Sequence, residues 1–240
     1  MPRFQVHCYR EGRTRVSLPE GAEPMEILVV DDHAMFLDGL RFILQGMSPD
    51  LRVHSESGLT GARRHLDRVE RYDLVLLDMD LGEDDGLVLL RELITRGTLT
   101  PVVMVSATDD AGRIQSALDA GAFGFIPKAY GGDRLLHALQ QGLEGVPYVA
   151  QETRMALQQL RRHREQVLET LTRKQIKVLG LLCAGLSNKD IAERMFLTEN
   201  TVKSHLLTIF QKLGVRNRTE CVLKAQQQRL VDLPGLVDAP

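Results

Sequence analysis

The run Leu74-Val75-Leu76-Leu77 ends abruptly at Asp78, and an acidic loop containing Gly82 and Gly86 follows it. Such an uninterrupted aliphatic run is the pattern of a strand buried on both faces, as in a parallel sheet covered by helices. Ligands on open α/β sheets gather at the carboxyl ends of strands, so Asp78 stands where a reactive carboxylate is displayed. Three further runs end in the same way. Ile27-Leu28-Val29-Val30 leads into Asp31-Asp32, Val102-Val103-Met104-Val105 into Ser106, and Phe123-Gly124-Phe125-Ile126-Pro127 into Lys128. Three carboxylates at one sheet edge repel one another, and burial raises that cost unless a cation or a proton neutralises them. Hard divalent cations such as Mg2+ take oxygen ligands and retain several waters.

Helical patterns separate these runs. Met35 to Gln45 carries apolar residues at Phe36, Leu37, Leu40, Ile43 and Leu44, which is helical spacing. Leu51-Arg52-Val53-His54 reads as another strand. Gly61 to Val69, Gly86 to Thr95, Ala111 to Ala120 and Arg134 to Glu144 read as the remaining helices, the last with Asp133 as N-cap. Asp84 and Asp85 fit a turn and a cap before the helix at Gly86. Five strands alternating with five helices predict an α/β, doubly wound, five-stranded parallel sheet with right-handed crossovers.

Residues 25–145, with Asp31-Asp32, Asp78, Ser106 and Lys128 in that order, resemble the receiver domain of two-component response regulators. The resemblance implies that Asp78 accepts a phosphoryl group from a sensor histidine kinase. It implies Mg2+ held by Asp31, Asp32, Asp78 and the backbone carbonyl of Asp80. Ser106 and Lys128 would contact the phosphoryl group, and Phe125 would be the aromatic switch that follows Ser106. Gly82 stands where the family often has Pro, which is expected to loosen the loop. The Asp80 side chain is expected to face solvent, and His33 reads as a solvated loop residue rather than a metal ligand.

The C-terminal third is helical and basic. Residues 168–230 carry 11 Lys/Arg against 5 Asp/Glu, whereas residues 25–145 carry 11 against 20. Such a split suits a polyanionic partner for the basic part. Ser187 to Met195 reads as a short helix with Ile191, Ala192 and Met195 on its apolar face. Phe196-Leu197 turns, and Thr198 caps a second helix whose apolar face is Val202, Leu206, Ile209, Phe210 and Leu213. That is helix-turn-helix spacing, in which the second helix enters the major groove. Leu171-Thr172, Gly185-Leu186-Ser187-Asn188-Lys189, Thr201-Val202-Lys203-Ser204-His205 and Lys212-Leu213-Gly214-Val215 resemble the LuxR/NarL-type DNA-binding domain. By that resemblance Lys203, Ser204 and Leu207 face base edges, while Asn188, Lys189, Thr198 and Thr201 lie near the phosphate backbone. Leu207 departs from the polar or basic residue common there, and Gln175 from a Glu that makes a structural contact. Thr219 to Leu230 matches a dimerisation helix, with Val222, Leu223 and Ala225 as contact candidates.

The expected organisation is an N-terminal extension (1–24), a receiver (25–145), a mostly helical linker (146–167), a helix-turn-helix domain (168–230) and a C-terminal tail (231–240). Phe4 to Cys8 and Arg15 to Leu18 either pair as a hairpin or form a disordered arm. No apolar stretch is long enough to cross a bilayer, and the start lacks a signal-peptide h-region. Cys8, Cys183 and Cys221 form no metal pattern and fit a reduced, cytoplasmic setting. The resulting expectation is a non-enzymatic, phosphorylation-controlled transcription regulator. Its expected partners are a histidine kinase, double-stranded promoter DNA, a second copy when active, and RNA polymerase, with no membrane. Three rival readings are a regulator that binds DNA without phosphorylation, a haloacid-dehalogenase-like phosphatase suggested by Asp78-Met79-Asp80, and a lactone-binding quorum regulator.

Overall fold

The computed structural model describes residues 5–8, 14–17, 24–68 and 71–231. The chain divides into two compact units, residues 1–153 and 154–240, and each has its own apolar core. Among the described residues no helix is long and apolar enough to cross a membrane.

In the first unit, β1 (Gln5–Cys8) and β2 (Thr14–Ser17) pair antiparallel. Of the two readings of this segment, the hairpin is the one found; Phe4 and Leu18 lie outside the described residues. Then follow β3 (Met25–Val30), α1 (Ala34–Met47), β4 (Leu51–Glu56), α2 (Leu59–Arg68) and β5 (Leu74–Asp78). β6 (Asp80–Leu81), β7 (Asp84–Asp85), α3 (Gly86–Thr95), β8 (Val102–Ser106), α4 (Ala111–Asp119), β9 (Gly124–Pro127) and α5 (Gly132–Leu143) complete it. The order β4-β3-β5-β8-β9, parallel throughout, is the doubly wound sheet expected from the alternation.

The aliphatic runs are strands because both their faces are covered. Every residue of β5 and β8 is buried. One face, with Ile27, Val29, Leu74, Leu76, Val103 and Val105, packs in a core with Leu40 and Leu44 of α1 and Leu135 and Leu139 of α5. Each fully buried aliphatic side chain contributes about 1.5–3 kcal/mol relative to exposure.

One local expectation is corrected. Asp133 does not cap α5: the helix starts earlier, with Gly131 at the N-cap, and Asp133 lies in the first turn, where its charge still favours the helix dipole. Gly82 has a further role in its loop. It adopts φ 66° between the paired β6 and β7, a left-handed turn position that glycine tolerates and that proline's fixed negative φ forbids.

In the second unit, α6 (Gln151–Thr170) carries the chain across the division and is followed by α7 (Arg173–Cys183), α8 (Asn188–Met195), α9 (Glu199–Leu213) and α10 (Arg218–Gln227). Thr172, Ser187, Thr198 and Asn217 each cap the helix that follows with a side-chain bond. Gln175 completes the Thr172 capping box, and its Oε1 also accepts from Lys212 Nζ at 3.1 Å. The amide thus makes the structural contact expected of an acid at this position. Val178, Leu179, Ile191, Val202, Leu206, Ile209 and Leu213 form the core with Cys221 and Ala225 of α10. Ala225 is fully buried there and is lost as a dimer contact, whereas Leu223 is exposed.

Gly86 decides how closely α3 approaches the end of β5. A Cβ on it would lie 1.9 Å from the Asp78 carbonyl oxygen, a backbone atom that cannot swing aside. Gly86→Ala is expected to cost about 1–3 kcal/mol through overpacking, read as a lower urea midpoint of the unit that contains it.

Candidate functional site

β3 and β5 are neighbours, with Val30 opposite Leu77, so Asp31 and Asp78 emerge side by side at the carboxyl edge of the sheet. They are 1% and 2% exposed. Pro127 at the end of β9 pairs with Ser106 at the end of β8, and the next residue, Lys128, reaches back across that edge. Its Nζ lies 2.7 Å from Asp31 Oδ2 and 2.6 Å from Asp78 Oδ2, and 5.1 Å from the centre of the Phe36 ring. One ammonium therefore compensates two buried carboxylates from different strands.

Burial holds the Asp78 carboxyl above the usual carboxylate range; the Lys128 hydrogen bond pulls it down, and the neighbouring Asp31 charge adds to the rise. Burial disfavours the Lys128 ammonium, but its bonds to Asp31 and Asp78 outweigh that, and its pKa lies above the ordinary lysine value. Asp78 Oδ1 accepts from the Asp80 amide at 3.3 Å.

His33 belongs to the cluster rather than to solvent alone. Its side chain is 64% exposed, yet Nδ1 lies 2.8 Å from Asp32 Oδ1 and 3.2 Å from Asp31 Oδ1. Asp31, Asp32, His33 and Asp78 offer ligand atoms all within 4.8 Å of one another. The donor set fits Mg2+: three carboxylates supply hard oxygens. Asp31 Oδ2 has the Lys128 ammonium at 2.7 Å and no other polar partner.

Ser106 is fully buried and Phe125 is 1% exposed, with the Phe125 amide donating to Tyr148 O at 2.8 Å. Asp80 does not simply face solvent. Its Oδ1 accepts from Arg113 Nη1 at 2.7 Å, and its Oδ2 lies 3.5 Å from the Ser106 hydroxyl. Sequence reasoning missed Arg113: it sits in the first turn of α4, 33 residues from Asp80, and no spacing rule links the two.

In the second unit Lys203, Ser204 and Leu207 share the outward side of α9, opposite Val202, Leu206 and Ile209, and Leu207 is 62% exposed. Lys189 and Thr198 are exposed, while Asn188 and Thr201 are half-buried. The Thr198 and Thr201 hydroxyls lie 2.8 Å apart. Phe196 turns the chain between α8 and α9 in the left-handed conformation, φ 55°. Of the residues expected to meet nucleic acid, Lys189, Thr198, Lys203, Ser204 and Leu207 are exposed, and Ile191, Val202, Leu206 and Ile209 lie beneath.

An acid-lined parallel sheet followed by a capped helix-turn-helix defines a receiver joined to a DNA-binding type of domain. Residues 27–140 match the response regulator receiver domain, and residues 169–225 match the bacterial regulatory proteins of the luxR family. A glycerol metabolism activator of Pseudomonas putida is 32% identical over 208 residues, covering 83% of this chain and 94% of that one. The nitrate/nitrite response regulator protein NarP of Escherichia coli K12 is 30% identical over 214 residues, covering 88% and 99%. A structure of two RcsB dimers bound to two parallel DNAs has the same fold, with a TM-score of 0.57 at 20% identity over 85% of this chain and 98% of that one. The chain belongs to the LuxR/NarL family of two-component response regulators, which are signalling proteins and transcription factors rather than enzymes. Membership sets aside the phosphatase and lactone-receptor readings.

Two buried carboxylates against one ammonium leave an excess negative charge. Asp78→Asn removes it while Asp31 still pairs with Lys128, so this variant is expected to melt no lower than wild type in metal-free buffer. Thermal unfolding followed by circular dichroism checks this; a clear fall in melting temperature contradicts it.

Proposed function

We propose that Asp78 is the phosphoacceptor of a phosphorylation-controlled, DNA-binding transcription regulator. The observation that carries this reading is the convergence of Asp31, Asp78 and Lys128 at one sheet edge. Asp31, Asp32, Asp78 and the backbone carbonyl of Asp80 would hold Mg2+. When bound, it neutralises charge on the transferring phosphoryl oxygens. A histidine kinase would supply the phosphoryl group. Asp78 attacks with a carboxylate oxygen while Lys128 is placed to meet the new charge as a point cation. Ser106 donates its hydroxyl to the same group, and Phe125 follows it, shifting the receiver between two existing packings.

For output, we assign residues 25–145 as receiver, 146–167 as linker and 168–230 as the DNA-reading part, with 1–24 and 231–240 as extensions. Lys203, Ser204 and Leu207 face base edges in the major groove, and Asn188, Lys189, Thr198 and Thr201 meet phosphates. The active form is a dimer on double-stranded promoter DNA, with Val222 and Leu223 of α10 available for contact between copies.

With acetyl phosphate and Mg2+, wild type is expected to incorporate phosphate and Asp78→Asn none; intact labelling of that variant would overturn the acceptor assignment. Lys203→Ala is expected to weaken binding to the target promoter about tenfold or more, read by footprinting with and without phosphodonor. Unchanged protection would remove Lys203 from the base-reading set.

A further inference from the structure

Asp80 and Arg113 close a ring that the acceptor chemistry leaves without a purpose. The Ser106 hydroxyl donates to Asp80 Oδ2 at 3.5 Å and accepts from the Thr108 amide at 3.1 Å. Thr108 Oγ1 accepts from the Asp110 amide at 3.2 Å. Asp110 caps α4, its Oδ1 accepting from the Gly112 and Arg113 amides at 2.7 and 3.1 Å. Arg113 then returns its guanidinium to Asp80 Oδ1 at 2.7 Å, and it stands 3.9 Å from Asp85. The end of β8, the start of α4 and the loop after Asp78 are thereby tied together.

We propose that the Asp80–Arg113 pair is a latch that positions Ser106 and the first turn of α4 in the resting arrangement, and that phosphorylation opens it. The proposal rests on Asp78 being the phosphoacceptor. Ser106 has a single hydroxyl hydrogen, so it cannot serve Asp80 and a phosphoryl group together. A phosphoryl group carries about −1.5 to −2 charges; two residues from Asp80 it repels that carboxylate and out-competes it for the hydroxyl. Once Ser106 moves, its bond to Thr108 moves with it, and the strain passes along the ring to the cap of α4. Both latch side chains are partly exposed, Arg113 at 37% and Asp80 at 55%. Such an ion pair shifts an equilibrium by only about two- to fivefold, which suits a bias that one phosphoryl group must reverse.

Arg113→Gln separates this proposal from simple charge effects. In labelling by acetyl phosphate, the phosphorus–oxygen bond to acetate breaks, a bond from phosphorus to an Asp78 oxygen forms, and acetate leaves. Removing a nearby cation should slow attack on an anionic donor if Arg113 only supplies charge. If it closes a latch, labelling of full-length Arg113→Gln is faster than wild type by about two- to fivefold. Arg113→Lys, which keeps the charge, should stay near the wild-type rate. Asp80→Asn should also be faster, and the double variant Asp80→Asn/Arg113→Gln no faster than the faster single. In nuclear magnetic resonance spectra without donor, the Thr108 and Gly112 amides of Arg113→Gln should move toward their positions in phosphorylated wild type. Wild type labelled, with Arg113→Gln slower or unchanged, overturns the latch alone. Wild type unlabelled overturns the acceptor reading, and the latch with it.

Discussion

The structure turns on one ammonium shared by two carboxylates. Asp31 and Asp78 are almost wholly buried, and an unpaired buried charge costs several kcal/mol. Lys128 meets both only if β3, β5, β8 and β9 keep their register, because the three residues come from three strand ends. A slip of one residue in any of those strands would separate the charges and leave at least one carboxylate without its cation. The same edge is crowded by backbone. Gly86 lets the start of α3 come against the Asp78 carbonyl, where a Cβ would lie 1.9 Å from that oxygen. Packing of helices and strands thus serves electrostatics at one edge, with the Asp78 carboxylate at the tip of its strand.

The second unit solves a different problem, presenting polar side chains on small helices that must not fray. Its stability rests on a dry core and on caps with a side-chain bond at the start of each of α7, α8, α9 and α10. Arg218 adds a clamp, donating to the carbonyls of Leu182 and Leu186 at 3.2 and 2.7 Å. With the buried side of α9 fixed by Val202, Leu206, Ile209 and Leu213, the opposite side is held in one orientation. Lys203, Ser204 and Leu207 are therefore displayed by a helix seated on that core rather than by a loop.

Much of this was legible because strand runs and helix caps are local signals. The aliphatic runs, the serial Asp, Ser and Lys endings, and the N-caps Thr198 and Asp85 each lie within a few residues of what they determine. Features set by distant residues were not legible. Asp133 and Gly131 compete for one helix start, and only the folded chain decides between them. Gly82 looked permissive in sequence, yet β6–β7 pairing makes its positive φ a requirement. His33 looked solvated, but its backbone amide donates to Asp31 Oδ1 at 2.8 Å, and this short turn directs the ring at the acids. Ala225 carries a periodicity that serves an inner or an outer face equally well, and the neighbouring Cys221 in the core settles which one.

The two charged groupings around Asp78 differ in depth, and that difference matters for signalling. Lys128 is 12% exposed and its carboxylate partners far less, so water hardly screens the attraction. Asp80 and Arg113 sit half in solvent, where competition with water leaves an ion pair worth about 1 kcal/mol or less. A group arriving on Asp78 would act on both, but only the shallow one is weak enough to be reversed by it. A switch needs that asymmetry: a fixed charge beside Asp78, and a nearby contact close to balance, so that one added anion would move the population without unfolding the site.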